Sequence, residues 1–256
     1  QGREIKGYKA NTRNSNGSVL GIVSSRYTIV QNADAFAFTD ALIGGDVRYE
    51  TAGSLRGGRQ VWMLARMPER TILNDAVEPY ICFTNTHDGS GAVRAVMTPV
   101  RVVCNNTLNL ALSGAKRAWS TPHRGDVQSR LEEARQTLEL ADKYLIRLDE
   151  EADRLANEKL SDYEATKVID QLLAVPENAT ERIKRTAENA KQQIITCMFA
   201  PDLVQYMETK WGFLNAVADY VGHGEPARHT KSFEENRWGN IISGATLLDK
   251  AMALVG

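Results

Sequence analysis

The sequence predicts an α+β fold: an N-terminal antiparallel β-sheet with short helices, then a C-terminal long helical hairpin with additional helices. Three observations lead there. Glycine-punctuated apolar runs fill the first hundred residues, a heptad seam starts at Leu131, and a capping box opens another helix at Ser161. Two regions are expected, a β-rich one over residues 1–125 and a helical one over 126–256, sharing one core.

Val19–Ser25 (VLGIVSS) and Tyr27–Gln31 (YTIVQ) read as short strands. Asn32 caps a helix over ADAFAFTDALI that Gly44 and Gly45 end. VRYETAGSL and RQVWMLARM flank Arg56-Gly57-Gly58, whose glycines supply the positive φ of a tight turn. Val61, Met63, Ala65 and Met67 alternate with Trp62 and Leu64, so that strand should be covered on both faces. VEPYICFTNT and AVRAVMTPVRVV make a second hairpin around His87-Asp88-Gly89-Ser90-Gly91, and Pro99 marks a strand end or edge. A helix is expected from Asn105 or Asn106 to about Gly114.

The second half is helical. Leu131, Ala134, Leu138, Ala141, Leu145, Leu148, Ala152 and Leu155 step by threes and fours. Ile183, Ala187, Ala190, Ile194 and Cys197 repeat the pattern, so Leu138, Leu145 and Leu148 are expected against Ile183, Ala187 and Ile194. Between them lies a short helix from Ser161 that Pro176 stops. One helix is expected after Pro201, ended by Gly222 or Gly224, and a last one from about Asn240 to Leu254.

A net charge of −1 throws any electrostatic argument onto local patches. No apolar run approaches the roughly 18 residues that span a bilayer, so no membrane partner is expected. The visible N-terminus has no apolar signal core, which predicts a cytoplasmic protein, although a chain that opens at Gln1 rather than Met is expected to lack native elements before it. Cys82, Cys104 and Cys197 form no CxxC pair; reduced thiols are expected, with no disulfide, no metal site and no cofactor.

Polar groups of functional type crowd residues 85–124. Arg94, Arg101, Lys116, Arg117 and Arg124 stand against one acid, Asp88, a local charge of +4 between Thr84 and Gly125. Trp119 and His123 interleave with these cations, as a base-stacking surface requires. Asn105 and Asn106, at a helix start, suit phosphate or base edges. The bland alternative is a solvated basic surface. His87, Asp88 and Cys104 admit a metal or nucleophile reading, but no His pair at i, i+4 supports it. A turn in which Asp88 bonds the backbone, with Cys104 a small buried residue, explains them as well.

TNTHDGSGAV (84–93), TPVRVVCNNTLNLAL (98–112) and WGFLNAVADYVGH (211–223) resemble the family called "domain of unknown function 932", over most of the chain from about Leu20. Asn85, His87, Asp88, Cys104 and Thr107 are the polar motif residues, and Gly222 stands before His223 where the family usually carries Asp. The resemblance implies a phage, prophage, plasmid or other mobile-element setting beside replication and recombination genes, and no established activity. The expected function is a non-enzymatic DNA-binding accessory protein acting on single strands, in annealing or binding. The alternatives are a module that binds a host or phage protein to interfere with a defence system, and, third, an enzyme of unknown class. Self-association through a heptad seam is a further expectation.

Overall fold

The computed structural model describes residues 5–35, 48–101, 118–226, 228–243 and 247–256, without the side chains of 101, 128, 131–142 and 242–243. The fold is α+β. The chain divides into two compact units, one of Gln1–Pro68, Pro79–Met97 and Lys116–Lys143, the other of Glu69–Glu78, Thr98–Ala115 and Tyr144–Gly256.

In the first unit, β1 (Tyr8–Thr12) and β2 (Val19–Ser24) form an antiparallel ribbon. The main sheet runs β3 (Arg48–Leu55), β4 (Gln60–Arg66), β6 (Asp75–Thr86), β7 (Val93–Arg101) and β8 (Ala118–Thr121) in the order β3-β4-β6-β7-β8. Gly57 (φ 67°) and Gly58 (φ 87°) turn β3 into β4, so that hairpin forms where the glycines place it. On β4 the two faces differ. Met63 and Ala65 are buried, whereas Trp62 and Leu64 are half-buried. β8 pairs with Val93–Val96, and Pro99 lies beyond that ladder, where its missing N–H costs no bond to β8.

Tyr27–Gln31 is a correction: it is no strand. Its β-type composition is satisfied without a ladder. Thr28 N donates to His123 O at 2.9 Å, and Val30 O accepts from Asn85 Nδ2 at 3.0 Å. A helical turn does begin at Asn32; the rest of that expected helix, and the one from Asn105 to Gly114, lie outside the described residues.

The second unit opens with β5 (Arg70–Ile72) against the first residues of β6, Arg70 facing Val77. Its helices are the later part of α1 (Val127–Asn157), then α2 (Asp162–Leu172), α3 (Glu181–Met198), α4 (Lys210–His223), α5 (Phe233–Ser243) and α6 (Leu247–Val255). Leu145, Leu148, Ala152 and Leu155 are buried, as the seam requires. Ile183 is not in a seam, being 49% exposed. Helix α3 packs along α4, and its Ala190 and Ile194 are buried. Every residue of α4 from Trp211 to Ala218 is buried, as in a helix surrounded on all sides.

The segment after Pro201 is not one helix. A 3-10 turn (Pro201–Tyr206) precedes α4, and Thr209 caps α4 by accepting from Gly212 N at 3.1 Å. At the break Glu208 takes a positive φ (54°), and Leu160 N donates to Glu208 O and Lys210 N to Glu158 O, so that Thr209 bridges Lys159. Gly212 suits this approach, since a Cβ there would meet the Tyr206 carbonyl. The final segment is likewise two helices, α5 and α6. The capping box forms as the sequence predicts, Ser161 Oγ accepting from Glu164 N and Glu164 Oε2 from Ser161 N.

Candidate functional site: the hairpin-tip end of the first unit

Strand register gathers one end of the main sheet. Leu55 pairs Gln60, Gln60 pairs Thr86, and Val93 pairs Thr121. The turn at 56–59, the loop 87–92 and the segment 122–125 therefore emerge together. The β1–β2 turn joins them, because Arg13 Nη2 donates to Gly57 O at 2.6 Å. Arg56, Arg59 and Arg124 are exposed here and Arg13 is half-exposed. The acids at this end are occupied: Asp88 Oδ1 accepts from Ser90 N at 2.9 Å, and Asp126 Oδ1 accepts from Ser129 N at 3.2 Å.

Beneath the tips lies a buried polar layer. Tyr27 stacks on His123 with ring centroids 4.5 Å apart, and its hydroxyl donates to Thr86 O at 2.5 Å. Burial pushes that phenol well above its usual range. His123 Nδ1 donates to Thr28 O at 3.1 Å. Asn32 Oδ1 accepts from His87 Nε2 at 2.9 Å and from Asn85 Nδ2 at 3.1 Å, which places the His87 proton on Nε2. The loop itself is fixed by Asn11 Nδ2 donating to His87 O (2.8 Å) and His87 N donating to Arg59 O (2.7 Å). Gly21 lets β2 approach so closely that a Cβ would sit 2.8 Å from Asp88 Cβ. Asn85 Oδ1, Thr86 Oγ1 and His123 Nε2 are buried and have no hydrogen-bond partner among the described residues.

Burial lowers the pKa of both histidines; the Asp88 charge partly opposes this at His87, and the charge of His87 lowers His123 further. Cys82, buried on β6, has its thiol pushed up to about 12 by burial, so it is inert at neutral pH.

The anticipated residues are thus divided. Asn85, His87 and Asp88 form the turn and its support, with Asp88 bonding the backbone as the turn reading predicts. His123 is 3% exposed with a ring face covered by Tyr27, so it is a packing element and offers no stacking face. Arg94 pairs Ser120 and Ala95 pairs Trp119, so alternation sends Arg94 and Trp119 to opposite faces of the sheet. Arg124 belongs to the tip end. The side chain of Arg101, and Cys104, Asn105, Asn106, Thr107, Lys116 and Arg117, lie outside the described residues. Sequence reading missed Arg13, Arg56 and Arg59. Their signal was position at hairpin turns, which becomes informative only once the register is known.

A family model described as Domain of unknown function (DUF932) matches residues 19–240. The chain belongs to that family. No curated protein and no solved structure matches it. The matched span of this family member takes in both units and the buried layer from Tyr27 to His123. Among the described residues, no three His, Cys, Asp or Glu side chains gather to hold a metal ion, and no helix is long and apolar enough to cross a membrane.

Proposed function

We propose that this protein is a non-enzymatic DNA-binding accessory protein that takes single strands on the hairpin-tip end of its first unit. The observation that carries the reading is the gathering of Arg13, Arg56, Arg59 and Arg124 at one end of a chain whose net charge is −1. Such a patch attracts phosphate and supplies the salt-sensitive part of affinity. The tips are tied to the β1–β2 ribbon and its turn by side-chain bonds to main-chain carbonyls, so little ordering entropy is lost on contact. The non-enzymatic half is supported by the histidines, whose proton-bearing nitrogens are committed to Asn32 and Thr28. A mobile-element setting with a replication or recombination role suits such an activity.

The test is fluorescence anisotropy of labelled single- and double-stranded oligonucleotides at two salt concentrations. Wild type should bind the single strand more tightly, and R56E/R59E/R124E should weaken it for all sequences alike. Trp119→Ala should cost single strands about 1–3 kcal/mol if a base stacks there. Absence of binding at low salt, or full affinity in the triple variant, overturns the reading.

A second reading, a protein-interaction module, has its own support. The outer face of the β1–β2 ribbon carries Tyr8, Val19 and Ile22, each more than half exposed. If the DNA reading falls, Tyr8→Ser/Ile22→Ser should abolish capture of a partner that wild type retains.

A further inference from the structure

The second unit holds a groove of about 1190 Å³, lined by the outer face of α3, the C-terminal end of α4, Gly224, Glu225, Pro226 and Arg228, and α5. Arg182 and Arg185 lie three residues apart on α3 and so share a face. Asn189 Nδ2 and Gln193 Nε2 both donate to Glu225 O, and Gln193 Oε1 accepts from Glu225 N. That clamp pins the chain after α4 to α3 and delivers Arg228 to the same groove.

The charges are asymmetric in their engagement. Each acid that lines the groove has a partner, although only Glu181, with Lys184 at 3.0 Å, meets a permanent cation: Glu188 accepts from the neutral Gln192 amide at 2.9 Å and Glu225 lies 2.9 Å from His229 Nε2. Arg237 is held by Gly222 O and Gly224 O. Among the described residues, the guanidinium groups of Arg182, Arg185 and Arg228 have no ion-pair partner, and all three residues are exposed. Asn236 and Asn240, one turn apart on α5, add side-chain amides to the lining.

We infer that this groove is an anion site for a phosphate-bearing ligand, with Arg182, Arg185 and Arg228 as its phosphate contacts. Guanidinium forks match phosphate oxygens in geometry, and three of them around one groove suit successive phosphates of a strand or the linked phosphates of a nucleotide. The site is separate from the hairpin-tip end and does not depend on it.

The experiment uses the whole chain and two probes: inorganic pyrophosphate by calorimetry and labelled oligo-dT by anisotropy. The variants are R182E/R185E/R228E, its Gln counterpart, and R56E/R59E/R124E, each checked for an unchanged circular dichroism spectrum. Wild type should bind pyrophosphate. The groove variants should lose at least about tenfold, and R56E/R59E/R124E nothing. If the groove takes a strand, the Gln variant should also reduce the salt slope for oligo-dT by about 2, at roughly 0.7 per lost phosphate contact. Pyrophosphate binding without oligo-dT binding upholds the groove while overturning the DNA reading. Oligo-dT binding that only R56E/R59E/R124E weakens, with pyrophosphate ignored by wild type, overturns the groove and leaves the DNA reading standing. Pyrophosphate binding equal in wild type and the groove variants also overturns it.

Discussion

The two units reach order by different means. At the hairpin-tip end of the first, directional bonds from side chains to distant main chain set the structure: Asn11 to His87, Tyr27 to Thr86, Asn85 to Val30. In the second, apolar volume does so, with Trp211, Leu148, Leu155, Ile169 and Ile194 almost fully enclosed. Bonds of the first kind specify one arrangement and tolerate no substitute, because an orphaned buried polar group costs more than a made bond contributes. Packing of the second kind tolerates exchange of shape at constant volume. The tip end has the rigidity a recognition surface needs; the helices have the robustness of a scaffold.

The largest expected effect tests the packing half. Trp211, 1% exposed, should cost about 3–5 kcal/mol on truncation to Ala, and much less on change to Phe. Equal losses in denaturant titrations of the two variants would break the contrast, because the indole would then act through something other than volume.

Next in size is Gly21→Ala. The added methyl would press on Asp88 and the His87 carbonyl, and the strand must shift, at about 1–3 kcal/mol. Amide exchange should accelerate in the β6–β7 loop and the β1–β2 ribbon and stay unchanged in α4. Acceleration confined to α4 would reverse the assignment of polar and apolar ends.

A smaller effect follows from pH. His87 and His123 have folded-state pKa values below the usual 6.5, so the unfolded chain takes up protons first as pH falls. Stability that these groups leave intact at neutral pH is lost as pH drops below about 6.5 towards their folded values. The loss should appear as faster exchange around Thr28 and Thr86, and His123→Gln should reduce it. An acid response that is the same in His87→Gln/His123→Gln sinks the explanation.

The smallest expected change is Ser161→Ala, which removes the capping-box oxygen and should cost about 0.5–2 kcal/mol. It sharpens the comparison, because local capping in the second unit should matter less than its packing. A loss larger than that of Trp211→Ala would contradict it.

Much of this was legible because the signals were local. Gly57 and Gly58 announce their turn, Ser161 and Glu164 their helix, and the apolar run of α4 its burial. Features made by distant partners were not legible. Tyr27–Gln31 has strand composition, but its bonding groups meet single side chains and carbonyls far along the chain. No Gly or Pro marks the break at Met207–Thr209, where the non-glycine Glu208 takes a positive φ and the bonds go to Glu158 and Leu160, some fifty residues away. Ile183 obeys the heptad arithmetic yet faces solvent, because α3 turns its other residues to α4. The arginines of the tip end are spread from Arg13 to Arg124, and only strand register and the bond from Arg13 to Gly57 unite them.

The Tyr27 hydroxyl has an optical consequence. Its hydroxyl donates to the Thr86 carbonyl and its ring stacks on His123, so ionising it in place would break that bond and put a charge in a largely buried site. In an alkaline titration exposed phenols ionise gradually, while this one stays silent until the surrounding layer opens. Its phenolate absorbance should therefore rise in one step with the loss of near-ultraviolet dichroism. Tyr144 and Tyr206 are buried too, so the part of that step which Tyr27→Phe removes is the gauge of when the tip end comes apart.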